Sequence, residues 1–144
     1  MIDIRPARSV DVAEVVANAL EYYSSERDLS LRLQNKVQDA YVAVDELGRI
    51  GMMFGFYQIW EGVIEVWAVT TRHFYYRKVS YTRILKRKIA DGMDVQGVHR
   101  VQLFTKAKYP NLIKWAKALG FTQEGFHPKM GSDKEDYISH GRVK

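Results

Sequence analysis

The chain has 144 residues, 47% of them hydrophobic and 27% charged, enough for one core and one domain spanning 1–144. It has no cysteine, which excludes disulfides, thiolate metal sites and a cysteine nucleophile, and fits a cytoplasmic location. A net charge of +5 leans toward anionic ligands, no apolar run reaches the roughly 20 residues of a membrane span, and Asp3 and Arg5 speak against a signal peptide.

In chain order, Ile2 and Ile4 alternate with Asp3 and Arg5 as a short strand that Pro6 ends. Ser9 is placed to cap a helix, and Val12, Val15, Val16, Ala19, Leu20 and Tyr23 follow amphipathic helical spacing. A second helix is expected over 29–38, although Leu29, Leu31 and Leu33 also suit a strand. Residues 40–44 read as a strand. Asp45-Glu46-Leu47-Gly48 is a hairpin turn that needs Gly48 at positive φ. The returning strand, 49–58, carries Gly51 and Gly55, which point to a bulge or a close backbone approach. Trp60-Glu61-Gly62 then turns the chain into a third strand of an antiparallel meander.

The stretch 63–91 is the most informative. Val63-Ile64-Glu65-Val66-Trp67-Ala68-Val69 has the composition of a strand buried on most of its surface. Tyr81, Leu85 and Ile89 recur every four residues, with Ile84 beside them, as one face of a helix that Asp91-Gly92 should stop. A basic, aromatic turn from Thr70 to Lys78 joins the two, and from Arg72 to Ala90 there are seven Lys/Arg and no carboxylate. A helix start of this kind, with free N–H groups and the positive end of the dipole, suits an anion such as phosphate. After it come a strand over 98–104 and a helix opened by Pro110, with Leu112, Trp115, Ala116 and Leu119 on one face and Gly120 at its end. Strands at Phe121 and at Tyr137-Ile138 follow. The order β-α-α-β-β-β-α-β-α-β-β is an α/β (α+β) fold with a mixed, mostly antiparallel sheet of six to seven strands and four helices.

This order, together with three motifs, resembles the GNAT superfamily of acetyl-CoA-dependent N-acyltransferases over nearly the whole chain. The motifs are Ile2-Asp3-Ile4-Arg5-Pro6-Ala7 before the first helix, the central strand and basic helix, and Ala118-Leu119-Gly120-Phe121 followed by Glu124-Gly125-Phe126. The resemblance implies a GNAT fold, acetyl-CoA as cofactor, an amine on a small molecule or protein as acceptor, and no metal. The family's pyrophosphate motif, Gln/Arg-x-x-Gly-x-Gly/Ala, falls on Arg77, with Ser80 and Thr82 in place of its small residues. By resemblance, the backbone of 77–82, including Val79 and Tyr81, and the side chains of Arg72, Arg77 and Lys78 would hold the pyrophosphate. Amides near Trp67 to Val69 would orient the thioester. Glu65 would be the general base, with burial raising its pKa. Ala116 stands where many relatives carry a tyrosine acid, so Tyr109 is the candidate substitute.

The Thr-Thr junction, the basic helix and the substituted glycines look similar to small GNAT-like proteins of short-tailed bacteriophages, one of them an internal virion or assembly protein. That closer likeness implies a phage-encoded chain, in the host cytoplasm or the virion, with phage structural proteins as partners and the fold kept without the chemistry. A third reading, nucleic-acid binding through the basic helix with Phe74, Tyr75, Tyr76 and Tyr81, is less favoured, because packing accounts for those aromatics. His73, His99, His127 and His140 share no metal-ligand spacing.

Overall fold

The computed structural model describes residues 1–23 and 26–144. In chain order these form β1 (Asp3–Pro6), α1 (Ser9–Asn18), α2 (Glu26–Lys36), β2 (Ala40–Val44), β3 (Ile50–Trp60), β4 (Val63–Thr70), α3 (Lys78–Asp94), β5 (Arg100–Lys106), α4 (Pro110–Ala118), β6 (Thr122–His127) and β7 (Tyr137–Val143). Short 3₁₀ helices occupy Val37–Asp39 and Arg72–Arg77. Among the described residues this is a mixed α/β fold of seven strands and four α-helices, with sheet order β1-β2-β3-β4-β5-β7-β6. The chain divides into two compact units, Met1–Phe56 with Ala68–Tyr81, and Tyr57–Trp67 with Thr82–Lys144.

In the first unit β1 pairs antiparallel with β2, and β2 with β3. The helix start differs from the expected cap. Arg8, not Ser9, is the N-cap, in extended conformation, and its N–H donates to Asp11 Oδ2 at 2.7 Å. Asp11 also receives both arms of the Arg5 guanidinium, at 2.8 and 2.9 Å, and is 3% exposed. The Arg5 hydrogen bond holds the Asp11 carboxyl down at about 2. The helix also ends earlier than its periodicity suggests. Ala19 is already extended and bridges Thr71, while the Leu20 N–H donates to the Thr70 carbonyl at 3.1 Å. The Tyr23 hydroxyl accepts the Thr70 N–H at 2.8 Å and shares a hydrogen bond with Thr70 Oγ1, 2.9 Å away. Spacing alone registers the apolar face but not these partners from the end of β4. The ambiguous leucines resolve as a helix: Leu29 and Leu33, one turn apart, are buried, whereas Leu31 is exposed.

Gly51 is both a bulge and a close approach. The β2–β3 register steps from Ala43↔Met52 to Val44↔Ile50, leaving Gly51 as the extra residue. A Cβ on it would lie 2.2 Å from Cζ of Tyr81, whose ring stacks on Phe74 at 5.5 Å. The bulge turns two carbonyls toward Thr71, which is fully buried. Thr71 Oγ1 donates to the Ile50 carbonyl at 2.6 Å, and the Thr71 N–H donates to the Gly51 carbonyl at 3.0 Å. Glu14 accepts the Ile50 N–H at 2.9 Å. Thr71 also opens the next element: its Oγ1 accepts the His73 N–H at 3.2 Å and its carbonyl accepts the Phe74 N–H at 3.0 Å. The stretch expected as a turn is therefore wound as the 3₁₀ helix Arg72–Arg77, which runs straight into α3.

In the second unit β4 runs parallel to β5, with Val63↔Arg100, Ile64↔Val101 and Glu65↔Gln102 in register. β5 pairs antiparallel with β7 along its whole length, and β7 with β6. The α3 residues Leu85 and Ile89 are buried as their spacing predicts. The helix, however, passes through Gly92, burying Met93, and the turn falls at Gly97 with φ +89°. A glycine one position before an apolar face residue did not outweigh one more buried contact. Tyr109 is the N-cap of α4, Pro110 is its first residue, and Ala116 and Leu119 are each 1% exposed.

Two outcomes test these joints. Thr71→Val keeps the volume but leaves a buried carbonyl unpaired, and should lower stability by about 2 kcal/mol in urea unfolding, whereas Thr71→Ser should recover most of the loss. The Asp11 pair supplies stability above the ordinary carboxyl pKa that is lost as pH falls through about 4 toward about 2. Asp11→Asn should therefore cost about 2 kcal/mol near neutrality and almost nothing near pH 2, measured as urea midpoints at both pH values.

Candidate functional site

The basic helix start is built within the first unit. Arg72, Arg77, Lys78 and Val79 are exposed and Ser80 is half-buried, while Tyr81 is 1% exposed. The first turn of α3 holds no acidic residue. Arg72 and Lys78 form no hydrogen bond or ion pair among the described residues. Arg77 is already engaged, its guanidinium donating to the Glu46 carboxylate on the β2–β3 hairpin. That hairpin is closed by Asp45, whose Oδ1 accepts the Leu47 and Arg49 N–H groups at 2.9 and 3.0 Å, and Gly48 sits at φ +80°. The Tyr81 ring lies under Gly51 and on Phe74, so its side chain is core, leaving only its main chain for a ligand.

A sequence without glycine changes the backbone here. An isolated helix start leaves its first N–H groups open. In this chain the 3₁₀ turn precedes α3 without a break, and its first amides, those of His73 and Phe74, are spent on Thr71. Anion binding at this helix start rests correspondingly on the charges of Arg72 and Lys78 and on the Ser80 hydroxyl, added to the helix dipole.

Of the β4 candidates, Val69 is buried in the first unit, so it offers main chain only. Trp67 and Glu65 belong to the second unit and are half-buried. Glu65 is in register with Gln102, and Trp67 lies past the last Glu65–Gln102 pair of the described β4–β5 ladder. Gln102 Oε1 accepts the Arg100 Nε proton at 2.8 Å, and Arg100 Nη1 donates to Glu124 Oε2 at 2.9 Å. This charged row crosses β7 at Gly141, where a Cβ would lie 2.3 Å from Glu124 Oε1.

Thr82 does not stand as an open hydroxyl. Its Oγ1 accepts the Trp115 indole N–H at 2.9 Å, linking α3 to α4 within the second unit. Ala116, next to that tryptophan, is 1% exposed, and a tyrosine would not fit there without displacing its neighbours. Tyr109 is half-buried at the head of α4, with the Lys108 ammonium 5.3 Å from its ring centroid. Sequence reasoning identified the Thr-Thr junction but not the buried role of Thr71, and it missed the Glu46 and Trp115 partners. Only the indole N–H of Trp115, a part-buried donor that needs an acceptor, hinted at one of them.

No protein-family model matches the sequence, and no curated protein is significantly similar to it. Solved structures do match in fold. A GNAT-family acetyltransferase from Bacillus anthracis superposes with a TM-score of 0.76 at 13% identity, covering 99% of this chain and 94% of the other. A chimera of the spermidine N-acetyltransferase SpeG from Vibrio cholerae with hSSAT superposes at 0.74 and 14% identity, covering 99% and 95%. A protein provisionally assigned as a phosphinothricin N-acetyltransferase gives 0.76 at 16%, covering 99% and 98%. The chain therefore has the GNAT fold. Among the described residues, no helix is long and apolar enough to cross a membrane.

The Thr82–Trp115 bond has a direct readout. Thr82→Val removes the acceptor from a part-buried indole N–H and should cost about 1 kcal/mol in urea unfolding, with a changed Trp115 emission. Unaltered stability and emission would show the bond to be absent in solution.

Proposed function

We propose that the chain is a single acyl-CoA-binding domain over 1–144 that transfers acetyl from acetyl-CoA to an amine, in the cytoplasm. The observation that carries this reading is the pair Arg72 and Lys78, exposed and unpaired among the described residues, at a helix start with no first-turn carboxylate. The fold likeness supports it, as do the N-acetyltransferase activities named for those structures.

The residues present fit a diphosphate. Arg72 and Lys78 supply charge, Ser80 supplies a hydroxyl, and no acidic group in the turn opposes them. Arg77 contributes once its Glu46 partner is outcompeted, and Val79, Tyr81 and Thr82 contribute main chain. When bound, the cofactor supplies an activated acetyl thioester. The work of this chain is to orient and to move protons: Trp67 and Val69 lend main-chain groups for positioning, Glu65 takes a proton from the acceptor amine, and Tyr109 is the proton donor available to the leaving group. The acceptor amine is borne by a small molecule or a protein.

A second reading is favoured by specific observations. The hydroxyl of Thr82 is tied to Trp115, Arg77 is tied to Glu46, and Ala116 is sealed in the core. These features suit a GNAT fold kept without acyl transfer, for which the alternative proposed role is assembly in a phage particle or against a host protein. The test is calorimetric titration with acetyl-CoA. Saturable heat is expected, weakened about tenfold or more in Lys78→Glu with folding intact. No heat at about millimolar ligand would eliminate the cofactor, and detection of the protein in purified virions by mass spectrometry would then support the assembly reading.

A further inference from the structure

Charge is unevenly placed along this chain. The first unit carries nine Lys/Arg and nine Asp/Glu, and the second thirteen against eight, so the whole net charge of +5 belongs to the second. Within that unit the cations of β5 and of the turn after it are matched: Arg100 pairs with Glu124, Lys106 with Asp133 and Lys108 with Glu135. The helix cations are not. Arg83, Lys86 and Arg87 on α3, and Lys114 and Lys117 on α4, are exposed and form no hydrogen bond or ion pair among the described residues. No acidic residue lies between Thr82 and Ala90 or within α4.

Helical geometry gathers these charges. Residues three and four apart share a helix face, with Cβ atoms about 5–6 Å from each other, so Arg83, Lys86 and Arg87 form one cluster and Lys114 and Lys117 a second. The Trp115 indole bond to Thr82, at 2.9 Å, ties the two helices together at the residues next in sequence to Lys114 and Arg83. None of the exposed large hydrophobic residues falls in 82–94 or 110–118. That argues against a membrane surface, where apolar side chains insert beside the cations. Binding of a single strand uses open aromatic rings as stacking platforms. Residues 82–94 hold no aromatic, and Trp115 of α4 is half-buried. Charge at fixed spacing remains, and it complements phosphates held at fixed spacing along a double helix. We propose that the exposed faces of α3 and α4 in the second unit bind the phosphate backbone of double-stranded nucleic acid, without reading its bases. This surface uses neither Arg72 nor Lys78 and none of the aromatics of the 3₁₀ helix, and its test contains no coenzyme, so it stands or falls apart from the acyl-CoA reading.

The test is fluorescence anisotropy of a short labelled DNA duplex titrated with the intact protein between about 50 and 200 mM salt. Saturable binding is expected, indifferent to duplex sequence, with log K falling against log salt at a slope of about −4 when all of these cations engage. Arg83→Gln with Arg87→Gln, or Lys114→Gln with Lys117→Gln, should each weaken binding about tenfold or more and lower the slope by about 2. Glutamine is a good helix former and these positions are exposed, so both double variants should unfold in urea as the parent chain does. No binding, or a slope that neither pair alters, would overturn the proposal. Equal displacement of the duplex by poly-glutamate at matched charge would overturn it in favour of an acidic protein. Tighter binding of a single strand, or of phosphatidylserine vesicles, would overturn the duplex assignment.

Discussion

Thr71 is the constraint on which the first unit depends. A bulge is an interruption of a ladder, and its carbonyls need other donors. Here they receive the hydroxyl and the amide of one buried threonine, while Glu14 takes the neighbouring Ile50 N–H. The same threonine caps the helical run that follows. One residue thus ends β4, satisfies β3 and starts the path to α3. Thr70, beside it, is held from the other side by Tyr23 and Leu20. Gly51 completes the arrangement, because only a residue without a Cβ lets the Tyr81 ring lie over the bulge.

That joint decides what kind of anion site this helix start can be. Glycines in a loop let backbone amides converge on phosphate. A sequence of His73, Phe74, Tyr75, Tyr76, Arg77 and Lys78 has no such freedom, and capped by Thr71 it winds into 3₁₀ turns instead. Charge takes over from main-chain geometry. The absence of carboxylates from Arg72 to Ala90 preserves that charge, and Glu46, on the hairpin, pairs with Arg77 while also receiving the Met1 ammonium at 2.8 Å.

Much of the fold was legible in the sequence, because alternation and helical spacing report which faces are buried. Leu85, Ile89 and Ala116 are core as their spacing indicated, and Gly51 is the bulge its place in a strand suggested. Boundaries were less legible where a distant partner set them. The early end of α1 depends on Thr70 and Thr71, roughly fifty residues on, and α3 runs past Gly92 because Met93 is buried. The candidate site was legible in its charges and not in its pairings. Arg72 and Lys78 are as exposed as expected, but nothing local in the sequence joins Arg77 to Glu46 or Thr82 to Trp115. Those are contacts of tertiary structure, invisible to periodicity.

The central claim is that a helix start without glycines, fixed by Thr71, still receives a diphosphate through its basic side chains. Backbone amide NMR during titration with coenzyme A examines it most directly. The account predicts saturable shifts concentrated between Arg72 and Thr82, largest around Lys78 and Ser80. Shifts that are absent, or that centre on strands remote from that segment, would contradict it.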